Sequence, residues 1–166
     1  MKPLAILPAV MLSLGLAGAA HAHVGVTPSV AAPGTIVEAT FKVGHGCDKA
    51  ATTALSVRAT SPAKMVHPMD VKGWTTALIK KDGKTVGATW TANTPDAALP
   101  DAFLMHVELP TAKGPFYFDA TQICGDKQVR WNEQPKGDGA KLEHPAPMID
   151  IGGKAPAAGA EEHHHH

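Results

Sequence analysis

The sequence predicts an all-β sandwich, and three observations carry that expectation. Segments rich in Val, Thr, Phe and Trp recur from Thr35 to Ile123, punctuated by Gly, Pro, Asp and Asn at the roughly ten-residue spacing of a strand-and-turn fold. Lys81-Asp82-Gly83-Lys84 joins two such runs, and Asp-Gly supplies the positive φ that a tight hairpin needs. No stretch sustains a 3.6-residue apolar period with caps, so helix is a minor component.

Taken in order, the first strand is Thr35 to Val43, bounded by Gly34 and Gly44. Thr53 to Ala59 stops short of Ser61-Pro62, and Trp74 to Lys80 follows Gly73. Thr85 to Thr91 lies beyond the hairpin and ends before Asn93-Thr94-Pro95. Phe103 to Leu109 sits between Pro100-Asp101 and Pro110, Pro115 to Ile123 between Gly114 and Gly125, and Gln128 to Asn132 after Asp126-Lys127. Lys136 to Ala146 is polar with Gly and Pro and reads as a loop, and Pro147 to Ile151 reads as an added edge strand. From Gly152 onward the chain is rich in Gly, Ala and Pro and ends in four histidines, the composition of a disordered tail.

The first 22 residues have the layout of a secretory leader: Lys2, an apolar run from Leu4 to Leu16, and the small-residue motif Ala20-His21-Ala22. The run is shorter than the about 20 residues a bilayer span needs, and no other segment approaches that length. No cysteine follows the cleavage motif. The expectation is a soluble periplasmic protein, with residues 1–22 as leader, 23–151 as one domain and 152–166 as tail, and with no transmembrane segment after cleavage. Charge is balanced, with 15 basic and 15 acidic residues. Lys and Arg are scattered and aromatics few, which excludes the basic footprint of a nucleic-acid binder.

The only two cysteines, Cys47 and Cys124, lie in the exported part, where a lone pair most simply forms a disulfide. Closing a loop of that length stabilises the fold by about 4 kcal/mol on the chain-entropy account. A thiolate metal site is the lesser alternative, since both cysteines sit in Gly-Asp turns without CxxC spacing.

Ten histidines are the compositional anomaly. Cleavage after Ala22 makes His23 the N-terminus, so its α-amine and imidazole Nδ1 close one six-membered chelate ring, a donor pair suited to tetragonal Cu(II). Gly18-Ala19-Ala20 is a second permissible cleavage motif, and cutting there exposes His21-Ala22-His23 instead. His67, in Val66-His67-Pro68-Met69, and His144, before Pro145, sit in loop-like contexts where an exposed histidine needs no explanation, with metal contact the lesser alternative for each. His45 precedes the Gly46-Cys47 turn and is a ligand, a neighbour of a ligand or, most ordinarily, a structural hydrogen-bonder. The run His163 to His166 is a purification-tag remnant or a native metal-collecting tail.

His106 is set apart by parity. Phe103, Met105, Val107 and Leu109 share the core face of their strand, so His106 and Glu108 project together from the other. Trp131 is read either as a core tryptophan or as an indole placed against a metal to exclude water.

The chain from 23 to 151 resembles the YcnI-like family of exported copper-binding domains. The resemblance lies in His23-Val24, Gly44-His45-Gly46-Cys47-Asp48, Thr52-Thr53-Ala54-Leu55-Ser56-Val57-Arg58, Lys72-Gly73-Trp74, Leu99-Pro100-Asp101, Cys124-Gly125-Asp126, Val129-Arg130-Trp131 and Pro145-Ala146-Pro147, in that order. It implies an immunoglobulin-like β-sandwich that binds Cu(II) through the N-terminal histidine, with a carboxylate from a later strand and a nearby tryptophan. Carried across, the brace is His23 and the tryptophan Trp131. The family's Asp-Glu-Phe element is placed on Met105-His106-Val107, so His106 stands where the glutamate would. By parity Met105 faces the core. The expected donors are then the His23 amine and imidazole and the His106 imidazole, with Trp131, Glu108 and His45 as neighbours or further ligands.

The leading expectation is a periplasmic protein, not an enzyme, that holds Cu(II) for storage, delivery or detoxification and exchanges it with periplasmic or membrane copper-transfer proteins. A copper monooxygenase using a two-histidine brace is the alternative. One tyrosine and three tryptophans leave little for an aromatic polysaccharide platform. A structural or adhesion module with incidental histidines is the third reading.

Overall fold

The computed structural model describes residues 23–44, 47, 50–137 and 139–154. The expected leader, residues 155–166 of the expected tail with the histidine run, and His45 lie outside them. Eleven strands and no helix are assigned among the described residues: β1 (Val24–Thr27), β2 (Val30–Ala31), β3 (Ile36–Val43), β4 (Ala54–Ala59), β5 (Met65–Pro68), β6 (Trp74–Lys81), β7 (Lys84–Ala92), β8 (Phe103–Glu108), β9 (Gly114–Cys124), β10 (Lys127–Trp131) and β11 (Met148–Ile151).

Two sheets face each other. One has the order β1-β3-β8-β5; the other runs β2-β11-β9-β4-β7-β6, with β10 also paired to β9. Strict alternation on β8 and β9 buries Phe103, Met105, Val107, Phe116, Phe118 and Ala120 between the sheets, as expected where one face is core and the other solvent. Phe41 of β3 meets Phe118 of β9 edge-on at 5.0 Å, and Phe103 is flanked by Trp74 at 5.1 Å and Trp90 at 5.3 Å. Such edge-on and tilted pairs add to area burial. Trp90 Nε1 donates to the Met69 carbonyl at 2.9 Å and Trp74 Nε1 to that of Ala98 at 3.2 Å, so both indoles are buried with their polar atoms satisfied.

The hairpin forms as its sequence requires. Lys81 pairs with Lys84, and Asp82 and Gly83 turn with φ of 50° and 76°, the two positive values of a type I′ turn. At Gly87 a side chain would overlap the Val57 carbonyl oxygen and the Arg58 backbone, so glycine is what lets β4 and β7 approach there.

Three short strands depart from the sequence expectation. β1 and β2, with four and two residues, sit upstream of the first expected strand. The His67 segment is β5 rather than a loop, an edge strand of four residues ending at Pro68, a place that tolerates proline because its N–H is not needed by a further neighbour. β11 is not an edge either, because it lies between β2, to which it is parallel, and β9, to which it is antiparallel. Cys47 and Cys124 form the disulfide, with Cα atoms 5.9 Å apart, inside the span such a bridge requires.

Candidate functional site

His23 leads into β1, where Val24 is buried and pairs with Val43. The Gly44 N–H donates to the His23 carbonyl at 3.3 Å, so the first residue of the domain is held by main chain. β1 is an edge strand of the smaller sheet, and β10 pairs only with β9 in the larger. The site forms where these two edges meet.

Trp131 closes β10 opposite Ala120 and is 3% exposed. The His23 ring lies 5.7 Å from it, tilted by 43°. The ring of His144 meets the same indole edge-on at 5.0 Å. His144 arrives on the long return from β10 to β11, which is pinned to Glu133. The Glu133 carboxylate accepts the N–H groups of Glu143 at 2.7 Å and His144 at 2.9 Å. The Glu133 N–H donates to the His144 carbonyl at 3.1 Å, and the Ala146 N–H to the Glu133 carbonyl at 2.8 Å. A charged acceptor strengthens such bonds, and here they hold a half-buried imidazole against the tryptophan.

Trp131 Nε1 is buried and has no acceptor among the described residues, unlike the other two indoles. A buried N–H without a partner is costly, and this one belongs to the residue that both imidazoles touch. The donor chemistry around it fits a metal. Imidazole nitrogens suit Cu(II), Ni(II) and Zn(II).

His106 is not part of this cluster. It pairs with Glu38 on β3, whereas His23 sits beside Gly44, one residue past the end of that strand. Six residues of extended chain separate the two rows, about 20 Å at 3.4 Å per residue. Its parity is as expected: His106 and Glu108 share the outer face, while Met105 is fully buried. What fails is the register. Glu108 pairs with Lys64 at 3.3 Å on that outer face and is equally remote from His23.

Toward the His23 end of that sheet β8 begins with Phe103, which pairs with Phe41, two residues from Val43, and is buried in the core. The residue to which the sequence gave little weight is His144, whose one signal was its position next to Pro145-Ala146-Pro147. Among the described residues, no three His, Cys, Asp or Glu side chains already surround one point.

A groove of about 730 Å³ is lined by residues of the β4–β5 connection and the β6–β7 hairpin, including Arg58, Lys64, Lys81 and Lys84. It shares no residue with the His23–Trp131–His144 cluster. Among the described residues no helix is long and apolar enough to cross a membrane.

Two packed sheets, antiparallel apart from the β2–β11 pair, define the class, an immunoglobulin-like β-sandwich. A crystal structure of an uncharacterized protein from Nocardia farcinica, described as revealing an immunoglobulin-like fold, is similar at 31% identity. It superposes with a TM-score of 0.67 over 78% of this chain and 97% of that one. The model of a family described as a domain of unknown function, DUF1775, matches residues 23–151. The chain belongs to that family, which is consistent with the YcnI-like resemblance. No curated protein matches.

Proposed function

We propose that the exported chain begins at His23 and carries Cu(II) there in the periplasm, for storage, delivery or detoxification, as a carrier rather than an enzyme. The observation that carries this reading is the His23 ring against the buried Trp131, with the N–H of that indole unmatched and a second imidazole, His144, against the same indole. In this reading the His23 amine and imidazole hold the ion as cargo. His144, whose ring meets the same indole, supplies a further nitrogen, and Trp131 shields one side from water.

Fluorescence quenching tests it. Bound Cu(II) quenches a nearby indole strongly, and Trp131 is the tryptophan against the His23 ring, whereas Trp74 and Trp90 pack against Phe103. One equivalent of Cu(II) is expected to quench most of the Trp131 emission in the chain beginning at His23. In Trp131→Phe the fractional quench drops several-fold while affinity changes by less than about tenfold, since the indole is not a donor. Equal fractional quenching in both proteins would place the ion elsewhere.

A further inference from the structure

We propose a second divalent-cation site on the outer face of the smaller sheet, formed by His67, His106 and Glu38. The register sets these three in one row across three adjacent strands. His67 of β5 lies opposite His106 of β8, which lies opposite Glu38 of β3. The alternation that buries Phe103, Met105 and Val107 points His106 outward, and residues opposite one another in an antiparallel ladder project from the same face.

Directly opposed residues have Cβ atoms about 4.5–5.5 Å apart, a spacing at which two imidazoles swing onto one ion. His106 Nε2 already stands 3.4 Å from Glu38 Oε2, with the two side chains 39% and 57% exposed. In their present rotamers the three groups do not yet surround one point. His67 and Glu38 are exposed and His106 half-buried, so reaching a common point takes rotation about side-chain torsions without repacking the core. Glu108, the next outward residue on β8, is engaged by Lys64 at 3.3 Å and contributes no donor to the row.

The chemistry selects the ion. Two imidazoles and one carboxylate suit Cu(II), Ni(II) and Zn(II), whereas Ca²⁺ and Mg²⁺ take oxygen donors. The site is independent of where the leader is cleaved, because none of its donors lies near His23. It makes the domain a carrier of two ions, one of them on an open face from which a partner can take it.

The test uses the chain beginning at residue 23, with His23→Ala and all of His163–His166 replaced by alanine, so that neither terminus chelates. Cu(II), Ni(II) and Zn(II) chlorides are titrated in turn, and the histidine ring resonances are followed by NMR. One equivalent is expected to bind, in the affinity order Cu(II) above Ni(II) and Zn(II), with Cu(II) broadening the rings of His67 and His106 first. His67→Gln and His106→Gln each weaken Zn(II) binding at least tenfold, and Glu38→Gln weakens it a few-fold, with unchanged thermal midpoints in the absence of metal. Broadening that starts at His144, or affinity unmoved by both histidine variants, would overturn the proposal while leaving the His23 reading untouched.

Discussion

Replacing His23 by alanine, or acetylating its α-amine, is expected to lower Cu(II) affinity a hundredfold or more, about 2.7 kcal/mol. Each change removes one of two donors carried by the same residue. Once the first is bound, the second coordinates at a high effective concentration, so its loss costs far more than one independent ligand. The fold should be unaffected, because His23 is exposed and precedes the first strand. Calorimetric titration of a chain whose terminal histidine run is replaced by alanine reads this directly. His144→Ala serves as the internal comparison, with a smaller loss on the order of tenfold. Unchanged affinity in the acetylated chain would remove the amine from the coordination set.

Removing the disulfide is the second large effect. Cys47→Ser with Cys124→Ser opens a loop of 77 residues and is expected to cost about 4 kcal/mol, read as a fall in the denaturant midpoint at unchanged slope. The same change reaches the site. Cys47 lies three residues beyond Gly44, whose N–H holds the His23 carbonyl, and the Cys47 N–H donates to the Cys124 sulfur at 3.1 Å. Copper affinity is therefore expected to fall alongside stability, although neither cysteine offers a thiolate. A loss below about 1 kcal/mol would mean that packing of β4 against β9 already holds this segment without the bridge.

The fold class, the hairpin and the faces of β8 were legible in sequence because they depend on local chemistry. Asp82-Gly83 can take positive φ, and alternation alone buries Met105 and exposes His106. β1, β2 and β5 were not, because strands of two to four residues carry too few alternating positions to stand out, and their partners, not their composition, make them strands. The His106 assignment failed for a related reason. Parity gives the face of a strand but not its register against a neighbour distant in the chain, and the register sets His106 six residues, about 20 Å, along β3 from the His23 end. His144 was hidden because its placement depends on Glu133 folding a polar loop back on itself. Trp131 and His23 were brought together by two strand edges in different sheets, a juxtaposition that the family resemblance carried and that no local pattern would have supplied.

Top-down mass spectrometry of the protein recovered from the exporting cell after loading with Cu(II) tests the central claim most directly, since it reads the cleavage point and the copper position together. The expected result is a chain that starts at His23 with copper retained on the N-terminal fragments. A chain starting at Met1 or His21, or N-terminal fragments free of copper while copper is found elsewhere in the chain, would contradict it.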